Sequence, residues 1–303
     1  LDADMLLAGP VVAEVETMFD AYWNSDLALP LSALWSERIN DLVSFRRRIG
    51  ALRRHRRGRE YLSRALRDDD AMRGLDRLVW SDTFRIVTDP PEKARGEKRE
   101  EWLPAHLGRL INRAEQRFEM ITPYLVPGKP GMAQLGELRE RGVEVRLLTN
   151  ALANTDHSIV HGAYRRYRVP LLADGVELHE YAPTDEGARR TRMLHAKTFV
   201  IDRRTAFIGL FNYDLRSAFL NTEIGVVFEA PELVGALCNW QDVAMAPQNA
   251  FHLSLHGRWI RWDQSLEGQD ASQLPEIWYE PKASPARRAL SWVVGHLPIH
   301  SYL

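Results

Sequence analysis

The sequence predicts an α/β protein: a mixed central sheet flanked by helices, with a helical N-terminal segment and a C-terminal extension. Three observations carry this. From Phe84 onward, short apolar runs alternate with amphipathic stretches at helical spacing. The run Phe118–Thr122 is followed by a helix at 131–141 and at once by the run Val143–Thr149. Strand, crossover helix and strand in such short order imply parallel pairing. Lys197–Ile201 and Thr205–Ile208 are separated only by Asp202-Arg203-Arg204, which reads as a hairpin turn and makes the sheet mixed.

Composition bounds the rest. The 303 residues carry 40 Lys+Arg against 41 Asp+Glu, and 45% are hydrophobic, a soluble globular balance. At roughly 100–200 residues per domain this is one large domain or two ordinary ones, and disorder, collagen and a small stapled scaffold are excluded. The single cysteine, Cys238, allows neither an intrachain disulfide nor a thiolate zinc site, so the fold rests on packing; a reducing compartment fits. No stretch approaches the ~20 apolar residues that span a bilayer and no signal peptide is legible, so any membrane contact would be peripheral. The chain opens on Leu1-Asp2-Ala3-Asp4 without methionine, inside what reads as an element, and is expected to be a fragment lacking its upstream part.

Along the chain, Val11, Val12, Val15, Met18, Phe19, Tyr22 and Trp23 recur at three- and four-residue steps after Gly9-Pro10, an amphipathic helix. Residues 33–68 are helix-like and strongly basic, with Arg46, Arg47, Arg48, Arg53, Arg54, Arg56, Arg57 and Arg59 within fourteen positions. That run is either a solvated helix face or a surface for anionic head groups or nucleic-acid phosphate. A strand at 84–88 and a helix near 101–116 precede Phe118, and Gly142 caps the helix at 131–141. A helix near 157–173, a strand at 176–180, the polar loop Asp185–Arg192, the hairpin, a strand at 223–228 and a helix from Pro231 follow. Residues 249–303 read as short strands and an amphipathic piece, Arg287–Leu297. Trp259, Trp262, Trp278 and Trp292 there either pack the tail onto the domain or form an interfacial surface.

Chemistry concentrates in His195-Ala196-Lys197-Thr198-Phe199-Val200-Ile201-Asp202, then Gly209-Leu210-Phe211-Asn212 and Asn221-Thr222-Glu223. With a side-chain period of two, His195 and Lys197 project on one face, so an imidazole and an ammonium meet a single phosphate. Histidine serves as nucleophile or proton donor near neutral pH, while lysine and an asparagine amide neutralise phosphoryl oxygens. Tyr124 and Asn150 end strands at the carboxyl edge of the sheet, where ligands collect in open α/β folds. Each is a candidate substrate contact or a plain loop residue. Arg192, with Arg189 and Arg190, precedes His195 in a loop suited to gathering an anionic substrate.

The HxKxxxxD run with its following glycine and asparagine resembles the signature of the phospholipase D superfamily. The segments Ile121-Thr122-Pro123-Tyr124-Leu125-Val126-Pro127-Gly128, Leu147–Asp156 and Asn212-Tyr213-Asp214-Leu215-Arg216-Ser217 are similar to bacterial cardiolipin synthases, the C type in particular. The similarity also covers Ala8–Val12 and Leu297-Pro298-Ile299. The resemblance implies half of a pseudo-dimeric fold in which two such motifs face each other. Residues 1–75 would be the tail of a missing first half-domain, 76–248 the half-domain with the motif, and 249–303 an extension. One histidine would attack phosphorus to give a phosphohistidine and the other would protonate the leaving alcohol. Lys197 and Asn212 would bind phosphate oxygens, Glu223 would orient an imidazole of the partner or of its own motif, and Asp202 and Gly209 would be structural. No cofactor or metal is expected.

By that resemblance the reaction is phosphatidyl transfer between two phospholipids, one of them phosphatidylglycerol, giving cardiolipin on an anionic bilayer, peripherally and on the cytoplasmic side of a bacterial inner membrane. The alternatives are a phosphodiesterase acting on lipid or, less in keeping with the segments above, nucleic acid, and a truncated lipid-binding module without turnover. Three departures stand out. His55, His106, His157 and His161 all lack a lysine two positions on, so the other motif lies upstream, on a second subunit or nowhere. Leu210 replaces the serine usual after the motif glycine, and Ala151 replaces the serine of the Thr-Asn-Ser-Leu segment.

Overall fold

The computed structural model describes residues 1–34, 40–65, 78–96, 102–182, 193–264 and 276–297. Contacts divide the chain into two units, Leu1–Tyr22 with Asp82–Leu303, and Trp23–Ser81. The smaller unit holds helices α2 (Leu31–Leu34), α3 (Asn40–Arg54) and α4 (Arg56–Ala65). Its arginines from 46 to 59 are exposed, and Arg56 pairs with Glu60 one turn on at 3.4 Å. The expected boundary near residue 75 is therefore displaced: Leu1–Tyr22, including nearly all of α1 (Val12–Trp23), packs with the larger unit.

The larger unit is built on one mixed sheet. In chain order its strands are β1 (Arg85–Thr88), β2 (Arg117–Ile121), β4 (Glu144–Asn150), β5 (Glu177–Tyr181), β6 (Thr198–Ile201), β7 (Thr205–Gly209), β9 (Ile224–Phe228), β10 (Ala250–His256) and β11 (Trp259–Asp263). Across the sheet they lie β1-β9-β7-β6-β2-β4-β5-β10-β11, while β3 (Leu125–Val126) and β8 (Tyr213–Asp214) pair separately. The predicted crossover is present, since β2 and β4 run parallel with Phe118 beside Val145, and β5 continues the parallel set. On one face Leu103, Leu107 and Ile111 of α5 (Leu103–Ile111), Leu135 and Leu138 of α6 (Gly128–Glu140) and Leu171 of α7 (Ser158–Ala173) join Phe118, Phe199 and Phe207 in the main core. On the other, Val234, Leu237 and Cys238 of α9 (Pro231–Met245) meet Val200, Val226 and Phe228. A short helix, α8 (Leu215–Phe219), follows β8 directly.

The tail is not an appendage. β10 pairs antiparallel with β5, Phe251 opposite Glu180, and so extends the main sheet. Helix α10 (Pro285–His296) lies on α7 at a close crossing, where a Cβ on Gly162 would stand 2.7 Å from Val294 Cβ. Of the four tail tryptophans Trp262 is buried, while Trp259 and Trp292 are exposed.

Candidate active site

The histidine of the motif stands at the mouth of β6, and what holds it comes from the opposite end of the chain. Residues 1–8 alternate, with Leu1, Ala3, Met5 and Leu7 half-buried and Asp2, Asp4, Leu6 and Ala8 at or near the surface. This is the period-two pattern of an extended segment with one face on the core. His195 N and Ala196 N donate to Leu1 O at 2.8 and 3.2 Å, and the outward Asp2 thereby brings Oδ2 within 3.1 Å of His195 Nδ1. A carboxylate on Nδ1 fixes the tautomer that leaves a lone pair on Nε2. Nε2 has no partner among the described residues.

Lys197 lies two residues on, buried, its Nζ donating to His195 O at 2.5 Å. Burial pushes its pKa below the ordinary lysine range, and the carboxylates of Asp2, Glu223, Asp156 and Asp214 oppose that shift. Gly209 N donates to Lys197 O at 3.1 Å, which joins the start of β6 to the end of β7. Gly209 must be small, because a Cβ there would lie 2.5 Å from Ile224 O and 2.6 Å from the Phe207 ring. Asp202 sits in the turn between β6 and β7. Its carboxylate accepts from Glu115 N, Gln116 N and Arg117 N at 2.8–2.9 Å, tying the hairpin to the start of β2. Partial burial would raise its pKa, but the three N–H groups hold the carboxyl below its usual range.

Asn212 and Glu223 meet through Ser217. Ser217 Oγ accepts from Asn212 N at 3.3 Å and hydrogen-bonds the Glu223 side chain. Asn212 Oδ1 is buried without a partner among the described residues, an orphaned acceptor that calls for an explanation. Burial raises the Glu223 pKa against the hydrogen bonds from Ser217 and Asn221 and the charge of Lys93. Its carboxylate is not bonded to His195, whose Nδ1 is taken by Asp2, so an own-motif role for Glu223 is corrected. Burial also lifts Asp214, the N-cap of α8, to about 6.

Sequence reasoning missed the brace beneath these groups. Lys93 and Asp89 form a fully buried ion pair at 2.6 Å, and Lys93 Nζ also donates to Ser217 O at 2.8 Å. Asp89 accepts from Glu223 N at 3.1 Å and Leu103 N at 3.0 Å, while its own N–H donates to Glu223 O at 2.9 Å. Tyr22 OH donates to Asp89 O at 2.8 Å. The only local signal was an aspartate four residues before a lysine at the Pro90-Pro91 break.

The three expected substrate contacts fare differently. Tyr124 is half-buried, with its hydroxyl on Asp156 at 2.9 Å, and its neighbour Asp156 also acts on Lys197. Asn150 is buried and clamps the chain before His195: Nδ2 donates to Leu194 O at 2.8 Å and Oδ1 accepts from Leu194 N at 3.0 Å. It positions the motif, and its amide is not available to substrate. Arg192 and the rest of that loop lie outside the described residues. Among the described residues His161, Glu180 and Glu280 converge with metal-like spacing, but Arg168 stands among them at 2.7 Å from Glu180 and 2.6 Å from Glu280, and supplies the cation itself.

Residues 107–242 match the family model described as cardiolipin synthase, phospholipase D-like domain. The chain is 34% identical over 277 residues to cardiolipin synthase C of Escherichia coli, covering 86% of this chain and 58% of that protein. It belongs to the phospholipase D superfamily. Cardiolipin synthase A of Pseudomonas aeruginosa is 37% identical over 118 residues, 39% of this chain and 22% of that protein. Among solved structures, the family member Nuc from Salmonella typhimurium aligns with TM-score 0.42 and 19% identity over 55% of this chain and 95% of that one. The superfamily chain described here spans little more than half the length of its E. coli homologue. No described helix is long and apolar enough to cross a membrane.

Proposed function

We propose that this chain is the second half of a phosphatidyltransferase that makes cardiolipin, and that it contributes one of two facing histidines. The observation that carries the reading is His195: its Nδ1 is held by Asp2, its Nε2 is unpartnered among the described residues, and a buried ammonium two residues on stands ready for a phosphate. One imidazole attacks the phosphorus of a phospholipid. The P–O bond to the head-group alcohol breaks, and the opposite imidazolium gives that oxygen its proton. The hydroxyl of phosphatidylglycerol then surrenders its proton to the same imidazole, attacks phosphorus and breaks the P–N bond. Lys197 and Asn212 stabilise the charged equatorial oxygens. Glu223, unbonded to His195, orients the histidine of the other half in this reading.

The test is cardiolipin formation from phosphatidylglycerol vesicles by the chain joined to its other half, with labelled phosphate trapped on the protein in samples quenched with detergent at alkaline pH, where a P–N bond survives. His195→Ala should lower turnover at least about 100-fold. Unchanged turnover in that variant sinks the mechanism, and phosphatidic acid as the sole product would assign hydrolysis instead.

A further inference from the structure

Between α5, α6 and α8 the larger unit forms a half-open cavity of about 440 Å³, within the range of small-ligand sites. Its walls are mainly apolar, among them Trp102, Ala105, Phe211, Leu215, Ala218 and Phe219. The side chains of Gln134, Asn112 and Tyr213 on its lining bond to one another. Gln134 Nε2 donates to Gly108 O at 3.0 Å and to Asn112 Oδ1 at 2.7 Å, and Tyr213 OH donates to Gln134 Oε1 at 2.8 Å. Asp214 and Glu137 also line the space, which makes it unfavourable to a carboxylate or phosphate and selects an uncharged chain.

The cavity is walled in part by residues beside the motif. Phe211 and Tyr213 are the chain neighbours of Asn212, and Asp214 both lines the space and acts electrostatically on the Lys197 ammonium. A second apolar concavity shares Leu215 and Pro130 with the first and continues over Met132 and Tyr167. The apolar surface thus runs on from the first cavity across α6 toward α7, longer than a head group. We infer that this cavity is the binding site for an acyl chain of the phospholipid whose phosphate lies at His195 and Lys197. The inference rests on the phosphatidyltransferase reading and adds to it the part of the substrate that is recognised.

The experiment uses the intact protein with vesicles containing phosphatidylglycerol that carries a diazirine on one acyl chain. After illumination, adducts should concentrate in the segments 102–112 and 211–219. Ala105→Trp and, from the facing wall, Ala218→Phe should each cut that labelling about tenfold. Labelling elsewhere, or labelling indifferent to both fillers, overturns the inference. Should both fillers fail to fold, a chain-length series on the unaltered protein decides. Capture should rise by up to about fourfold per methylene and then level off, whereas a flat series overturns the site. Labelling without any lipid turnover would defeat the transferase reading and leave the acyl site standing; turnover without labelling would do the reverse.

Discussion

His195 and Lys197 depend on carboxylates contributed from far along the chain, and each dependence has a measurable consequence. The Asp2 carboxylate on Nδ1 favours the tautomer with a nucleophilic Nε2. Asp2→Asn keeps the shape and removes the charge, so kcat should fall at least about tenfold with KM little changed; a pure KM effect would contradict an orienting role. Lys197 binds phosphate only as an ammonium, and burial holds its pKa below the ordinary lysine value of 10.5. Substrate affinity should therefore fade on the alkaline side at lower pH than a surface lysine would titrate. Lys197→Arg, always charged, should remove that limb while weakening binding through its different geometry; an alkaline limb that stays in place would assign it to another group. The motif was legible because alternation in one strand sets its spacing locally. Asp2 was not, since nothing in Leu1-Asp2-Ala3-Asp4 announces a bond to a residue 193 positions later. Asn150 misled for a related reason: a strand end at the ligand-bearing edge of a sheet looks the same whether its amide serves substrate or a neighbouring backbone.

At the level of elements, three segments that converge on the site are pinned by one buried pair. Lys93 reaches Asp89 after β1 and Ser217 in α8, while Asp89 holds the backbone of Glu223 at the entry to β9. Removing the ammonium alone leaves a buried carboxylate uncompensated, a change that costs about 3–5 kcal/mol. Lys93→Met should therefore lower the urea midpoint sharply, and adding Asp89→Asn should restore a good part of the loss. If the double variant is no more stable than the single one, the pair is not the brace described here. Strand and helix identities along this stretch followed from periodicity, and Gly142, with φ of 81°, ends α6 as its place in the sequence suggested. The hairpin is tighter than its sequence advertises, with Asp202 and Arg203 both at positive φ, 51° and 52°. Non-glycine residues tolerate that conformation there because the three N–H bonds to the Asp202 carboxylate hold the turn.

Over the whole of the larger unit, the C-terminal residues that read as an extension complete the sheet and lock α10 onto α7. Local pattern gives short strands in the tail but not the sheet edge that receives them, and the lock is a network of side chains dispersed in sequence. His161 of α7 faces Ser291 Oγ at 3.3 Å and Arg168 Nη2 at 3.0 Å, and Arg168 pairs with Glu280 at 2.6 Å and Glu180 at 2.7 Å. Tyr164 OH and Trp262 Nε1 complete the shell of Glu180 at 3.0 Å each. Burial beside Arg168 keeps His161 neutral, its pKa falling from 6.5 to about 3. Glu280, despite a burial that pushes the other way, is held by Arg168 at about 2 against an ordinary 4.5. Both shifts act in the same sense. Below 6.5 the unfolded chain takes up a proton at His161 that the folded chain refuses until about 3, so stability declines as pH falls through that window. The Glu280 contribution, complete above 4.5, is lost as pH drops toward about 2. Each group contributes a slope of up to about 1.4 kcal/mol per pH unit. Urea unfolding followed from neutral to acid pH should therefore show stability falling from about pH 6.5 and steepening below about 4.5. His161→Gln, which keeps a neutral hydrogen-bonding side chain, should flatten the upper part of that curve and leave the lower part in place. A variant with the full upper slope would move the acid sensitivity away from this network and onto the exposed carboxylates.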